Sequence, residues 1–199
     1  HYVTVLDAEP PVINDANATP QSQVYGRNIT LYANVTDNVA VDEVYVYFDG
    51  NNNSMTIQGG SLWSYTFNTS LETTGVGFYN YTVYANDTRN NEATKFIENF
   101  TVTERAARLT LYANGQTGDS TVPSSSPVNL TATLDEPAIS DLIQLSLNGT
   151  PIGNSSSPVT NISSLAVGYY NVTVVYAGNI NYSRTEETVF VTVNDTTIP

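Results

Sequence analysis

Apolar residues recur at every second position, in run after run, along this chain of 199 residues. In the segment from Asn28 to Thr36, Ile29, Leu31, Ala33 and Val35 fall on one side and Asn28, Thr30, Asn34 and Thr36 on the other. Successive side chains of a strand point to opposite faces, whereas a helix face repeats every 3.6 residues, so this spacing selects half-buried strands. Clusters of Gly, Asn, Asp and Pro separate the runs, and no stretch of helical period competes with them. The pattern predicts strands near 21–25, 28–36, 43–49, 54–58, 62–68, 78–86 and 94–103, then near 107–113, 128–135, 141–148, 157–163, 168–177 and 185–194. Two such sets match two β-sandwiches of about 90 to 100 residues each. The expected organisation is an N-terminal strand and linker over 1–11, a first sandwich over 12–104, a second over 105–194, and a linker over 195–199. The short join Thr103-Glu104-Arg105-Ala106 leads us to expect domains arranged end to end with limited freedom.

The same alternation gives meaning to an excess of Asn-x-Ser/Thr. The triplet, with x other than Pro, occurs at Asn17, Asn28, Asn34, Asn52, Asn68, Asn80, Asn86, Asn99, Asn129, Asn148, Asn154, Asn161, Asn171, Asn181 and Asn194, which is 15 of the 23 asparagines. Ser and Thr total 44, so chance placement would give roughly 5 such triplets. Residues i and i+2 of a strand share a face, so an exposed acceptor should alternate with buried neighbours. Asn129 and Thr131 against Leu130, Ala132 and Leu134 fit this, as do Asn171 and Thr173 against Val172, Val174 and Tyr176. The same register holds around Asn80 and Asn99. The expectation is covalent N-glycans on the outer sandwich faces, with Asn17 a weaker acceptor because Pro20 follows Thr19.

Composition narrows the partners. Six basic residues against 19 acidic ones give a formal charge of -13, which repels phosphate backbones and anionic lipid headgroups, so no nucleic acid is expected as a partner. No apolar run approaches the roughly 18 residues of a membrane span, and direct membrane insertion is not expected. Cysteine is absent, so a secreted chain of this kind must be stabilised by core packing instead of disulfides.

The two ends of the chain resemble each other. Tyr2-Val3-Thr4-Val5-Leu6-Asp7-Ala8-Glu9-Pro10-Pro11 and Phe190-Val191-Thr192-Val193-Asn194-Asp195-Thr196-Thr197-Ile198-Pro199 agree at five of ten positions. A last strand followed by an Asp-containing, Pro-terminated linker suits the handover between sandwiches in a tandem array. Three explanations stand side by side: one unit of a head-to-tail array, a first strand donated to a neighbouring subunit, or an ordinary first strand.

The stretch Leu165 to Tyr182, closed by Val189-Phe190-Val191-Thr192-Val193, resembles prokaryotic Ig-like repeat domains. Leu145 to Gly153 corresponds to the hairpin that precedes it in such domains, with Asn148-Gly149 as the turn. In the first half, Val35 to Val44 and Tyr81 to Asp87 are similar to the Ig-like modules of archaeal and bacterial surface proteins. Sequon density without cysteine is most similar to archaeal surface proteins. The resemblance implies an all-β fold of two tandem immunoglobulin-like sandwiches, at the cell surface, in proteins such as surface layers, sheaths, filaments and adhesin stalks. Fold alone does not set activity.

Chemistry for catalysis is sparse. His1 is the only histidine and cysteine is absent, which removes His-based triads, thiol nucleophiles and the usual zinc ligand sets. Glu43, Glu72, Asp87, Glu92 and Asp141 are raw material for a glycosidase carboxylate pair, yet no spacing singles out two of them. The chain is expected not to be an enzyme and to need no cofactor. Structural Ca²⁺ is the one metal considered: Asp37, Asn38 and Asp42 cluster in one loop, Asp87, Asn90 and Glu92 in another, and Asp7 with Glu9 before the first sandwich. The same residue types also serve as ordinary turn and cap residues. Lys95, the sole lysine, makes an internal Lys-Asn isopeptide conceivable, but no acidic catalyst is evident beside it. Trp63, Tyr65 and Phe67 share a strand face and are expected in the core, while Tyr32, Tyr45 and Tyr47 are the candidates for an exposed sugar platform.

These readings converge on a structural, N-glycosylated subunit of an extracellular filament, sheath or surface layer. Its expected partners are copies of itself or adjacent repeats of the same chain, joined head to tail. The alternative is an adhesin or carbohydrate-binding module of a larger surface protein. An enzyme accessory domain comes third.

Overall fold

Ile29, Leu31, Ala33 and Val35 are fully buried, and the residues between them are not, so the alternation is realised as a strand with one face in a core. The computed structural model describes residues 6–70, 75–124 and 126–195, without the side chains of Glu98 and Asn99. Every regular element among the described residues is a β-strand. The chain divides into two units, one ending at Glu104 and the other beginning at Arg105.

Unit 1 contains β1 (Val12–Thr19), β2 (Ser22–Val24), β3 (Asn28–Thr36), β4 (Val41–Phe48), β5 (Asn51–Ser54), β6 (Thr56–Gly59), β7 (Leu62–Asn68), β8 (Gly77–Asp87) and β9 (Glu92–Thr103). One sheet has the order β1-β3-β7-β6 and the other β2-β9-β8-β4-β5. All neighbours are antiparallel except β2, which runs parallel to β9. The core lies between the sheets, where Phe67 of β7 meets Phe48 of β4 at 4.8 Å and Phe100 of β9 at 5.7 Å between ring centroids. Trp63 and Tyr65 pack partly buried against this cluster, as their strand face predicts.

Unit 2 contains β10 (Arg108–Ala113), β11 (Gln116–Thr117), β12 (Ser120–Pro123), β13 (Val128–Glu136), β14 (Leu142–Leu147), β15 (Thr150–Ser156), β16 (Val159–Ser163), β17 (Gly168–Tyr176) and β18 (Thr185–Asn194). Its sheets are β11-β10-β13-β16 and β12-β18-β17-β14-β15, with β12 parallel to β18. The main strands repeat the wiring of unit 1, and both are Ig-like sandwiches: an early short strand joins the second sheet alongside the last one, and β10, β13 and β16 face β14, β17 and β18 as β1, β3 and β7 face β4, β8 and β9. The core of unit 2 is mainly aliphatic, built on Leu111, Leu130, Ile143, Leu145, Val172, Val174 and Val191, with Tyr176 as its large ring.

Three hairpins in the two units close on the same turn chemistry. Asp49-Gly50, Asn114-Gly115 and Asn148-Gly149 each place two consecutive residues at positive φ, between 47° and 79°, and each pair connects directly bonded strand ends. That is the mirror-image turn whose twist matches a β-hairpin, and Gly takes its second position without steric cost.

A further device recurs at the start of β8 and of β17. The Tyr79 hydroxyl donates to the Gly75 carbonyl at 2.6 Å, and the Tyr170 hydroxyl donates to the Ala166 carbonyl at 2.9 Å. Each ring lies over the glycine two residues before it, Gly77 or Gly168. This tyrosine corner ties the connection between the sheets to the strand that follows it.

The predicted strand list departs from the fold in five places. β1, β11, β12 and β15 are absent from it, and the predicted strand at 54–58 is two strands, β5 and β6, parted at Met55. The missed strands lie at sheet edges, where few side chains face the core: in β1 only Ala18 is buried, and a bulge between Ile13 and Asp15 breaks the alternation. Tyr2 to Val5, for which donation to a neighbour is one of the three explanations, and the linker residues 196–199 lie outside the described residues.

Candidate functional site

The acceptor asparagines take their exposure from strand register and turns. Asn17, Asn28, Asn34, Asn52, Asn80, Asn129, Asn148, Asn154 and Asn194 are exposed, and Asn68, Asn86, Asn161, Asn171 and Asn181 are half-buried. The Asn99 side chain lies outside the described residues. In four triplets the hydroxyl two residues on donates to the asparagine's Oδ1: Ser70 to Asn68 at 2.7 Å, Thr131 to Asn129 at 3.3 Å, Ser163 to Asn161 at 2.5 Å and Thr173 to Asn171 at 2.7 Å. The amide nitrogen, which would carry a sugar, differs from site to site. The Nδ2 of Asn68 donates to Asn28 Oδ1 and the Gly26 carbonyl, and that of Asn161 to the Ile152 carbonyl.

A second constellation forms where three segments of unit 1 converge. Asp7 precedes β1, Asp37 follows β3, and Asp87 ends β8; one carboxylate oxygen of each lies within 4.8 Å of the other two. Asp87 is completely buried. Burial acts to raise its pKa, but donation from the Asn91 side-chain amide and from the backbone N–H groups of Asn91 and Arg89 outweighs it and holds the carboxyl below its ordinary range. Asp37 Oδ1 accepts the N–H groups of Val39 and Ala40, both at 2.8 Å. Asp7 Oδ1 accepts the Glu9 N–H and the Asn38 amide. The two remaining oxygens, Asp7 Oδ2 and Asp37 Oδ2, are buried and receive no donor.

This constellation includes Asp37 and Asp87 of the four residues singled out for calcium, and leaves out Asp42 and Glu92. Asp42 is exposed at a bulge between Val41 and Glu43 of β4, and Glu92 is exposed at the start of β9, opposite Asn86. Asp7, named with Glu9 as an oxygen donor of the lead-in segment, is the third member.

The other candidates stay apart. Asp141 Oδ2 accepts the Tyr176 hydroxyl at 2.6 Å and the Asn179 amide, and Glu43 accepts the Ser54 hydroxyl, so each is engaged locally. Glu72 lies outside the described residues. Lys95 Nζ donates to the Ile13 and Asn14 carbonyls, a tie from β9 to the bulge of β1. Tyr45 stacks on Tyr84 at 4.9 Å, Tyr47 is exposed, and Tyr32 is half-buried, so these three do not form one open aromatic face.

Residues 11–94, from β1 to the start of β9 in unit 1, match the family model of a bacterial Ig domain. None of the curated proteins matches the chain. Among solved structures, the fibronectin(III)-like modules of Clostridium thermocellum CbhA are similar at 16% identity and a TM-score of 0.36, over 93% of this chain and 94% of that one. A 1.5-MDa bacterial ice-binding adhesin is similar at 18% identity and a TM-score of 0.42, over 95% of this chain and 67% of that one. A Ca²⁺-stabilized ice-binding adhesin of an Antarctic bacterium is similar at 16% and 0.41, over 96% of this chain and 51% of that one. Such identities speak of fold alone. No helix among the described residues is long and apolar enough to cross a membrane.

Proposed function

We propose that the chain is a heavily N-glycosylated structural subunit of an extracellular filament, sheath or surface layer, joined head to tail to further copies or adjacent repeats. The observation that carries this reading is the placement of the acceptors: none of those described is buried, and they alternate along β3, β13 and β17 with residues that fill the cores. Sugars at these positions add bulk to the outer faces without touching either core. The acidic charge of -13 adds hydration and mutual repulsion, which suit a surface exposed to solvent. The likeness of residues 2–11 to residues 190–199 supports a repeating connection between units.

Two measurements on the native material test the proposal. Enzymatic or chemical removal of N-glycans should lower the mass of the native material by several glycans, and electron microscopy should show filaments or lattices. An unchanged mass together with monodisperse monomers would refute it, and monomers that bind a glycan array would point to the adhesin reading instead.

A further inference from the structure

The corner where Asp7, Asp37 and Asp87 meet has a counterpart in unit 2, and the comparison shows what unit 1 lacks. There the segment before β10 supplies Arg105, β13 ends on Glu136, and the loop between β17 and β18 supplies Asn179 and Asn181. The Arg105 backbone is bonded to that loop, its N–H to the Asn181 carbonyl at 2.9 Å and its carbonyl to the Ser183 N–H at 3.0 Å. Its guanidinium sits 3.2 Å from Glu136. Unit 2 therefore carries a built-in cation at this corner.

Unit 1 places only carboxylates there. Among the described residues, no ion pair involves Asp7, Asp37 or Asp87. In all three aspartates Oδ1 is taken up by N–H donors, which leaves Oδ2 of each without a backbone donor. Asp7 Oδ2 and Asp37 Oδ2 have no donor at all although both are buried, and Asp87 Oδ2 has the Asn91 amide alone. Asp7 and Asp87 lie within hydrogen-bond reach of each other, but ionised carboxylates are acceptors only, so it takes a shared proton or a cation to satisfy these oxygens, and buried uncompensated charge is costly. A cation bonded to all three removes both penalties at once.

We propose that Asp7, Asp37 and Asp87 form a Ca²⁺ site that clamps the segment before β1 onto the β3–β4 and β8–β9 loops of unit 1. The chemistry is that of a hard cation: all-oxygen donors, carried by loops from three separate parts of the chain, with no His or Cys. Such loops suit the variable coordination of Ca²⁺ better than the near-ideal octahedron that Mg²⁺ demands. A cavity of about 300 Å³ lined by Leu6, Asp7, Ala8, Glu9, Asn38 and Val39 lies against the site and leaves room for water ligands. The clamp goes beyond the structural role proposed above and stands without it, since it concerns unit 1 by itself.

The test uses the full chain, with Tb³⁺ as a luminescent substitute for Ca²⁺. Trp63, the sole tryptophan, lines a cavity of about 270 Å³ together with Asp37, so it is placed to sensitise an ion bound there. The expected result is luminescence that saturates at one ion per chain and is displaced by excess Ca²⁺. The thermal midpoint should rise on the order of 10 °C when Ca²⁺ exceeds its dissociation constant a hundredfold. Asp37→Asn should abolish both responses, and Asp42→Asn should leave both intact. The proposal is overturned if the unsubstituted chain gives no saturable signal and no shift between Ca²⁺ and chelator, a result that would leave a proton shared between the carboxylates as the occupant. Because that comparison needs no variant, it decides the matter even if Asp37→Asn does not fold. Responses that survive Asp37→Asn would equally overturn it.

Discussion

Tyr79 and Tyr170 make the same hydrogen bond in two different cores, each hydroxyl closing on the carbonyl four residues before it. One core buries Phe48, Phe67, Tyr81 and Phe100 among its aliphatic residues and the other buries Tyr176 alone of its rings, so the corner belongs to the wiring and not to a particular packing. Replacing either residue by Phe keeps the ring and leaves a carbonyl without its donor. Tyr79→Phe and Tyr170→Phe should each lower stability by about 1 to 2 kcal/mol, read from the urea midpoint of the variant.

Gly178 has φ +85°, and a Cβ there would lie 2.8 Å from the Arg184 nitrogen and 2.9 Å from the Tyr182 carbonyl oxygen. Both obstacles are backbone and cannot rotate aside. Gly178→Ala should therefore cost at least about 2 kcal/mol, whereas Gly118→Ala, at φ +82° in open space, should cost about 1 kcal/mol. Paired thermal or urea denaturation curves would separate the two effects.

Alkali should destabilise the chain through Tyr176 and Tyr81. Burial pushes both phenols above their ordinary value of 10.0, helped at Tyr176 by the bond to Asp141 and at Tyr81 by the charge of Asp15. A raised pKa means that the folded chain keeps a proton which the unfolded chain releases near pH 10, so the contribution is complete below that pH and is lost as pH climbs toward the folded value. The urea midpoint should change little between about pH 7 and 9 for these groups and fall above about pH 10. Tyr176→Phe should make that fall shallower.

Glycan occupancy should follow the amide nitrogen. Asn34 and Asn129 are exposed strand positions, whereas the Asn68 and Asn161 amides are engaged with backbone carbonyls. If glycans are added after the units fold, glycopeptide mass spectrometry should find higher occupancy at the first pair. Asn34→Gln and Asn129→Gln should each remove one glycan while leaving the unfolding midpoint of the bare polypeptide within about 0.5 kcal/mol.

What could be read from the sequence depended on whether one face of an element is buried. β3, β13 and β17 bury every second residue, and their alternation was plain. β1 is held by ladder bonds to β3 and has one buried side chain, so its pattern carried little signal. The Asn148-Gly149 turn was recognised from its dipeptide; Asp49-Gly50 and Asn114-Gly115 offered the same cue. Asp37, Asp42, Asp87 and Glu92 looked equivalent because loop composition does not reveal direction. The β4 bulge leaves Asp42 at the surface, and only the meeting of two loops with the lead-in segment brings Asp7 to Asp37 and Asp87. The tyrosine corner was present as Gly77-Phe78-Tyr79-Asn80 and Gly168-Tyr169-Tyr170-Asn171, a repeat that aligning the halves would expose.

The parallel pairing of β2 with β9 and of β12 with β18 has a mechanical consequence. In each unit an early strand lies alongside the last one and points the same way. Tension along the chain pulls the first backward and the second forward, so their bonds are sheared and must break together instead of unzipping one at a time. Rupture force, more than melting temperature, is the property this arrangement favours.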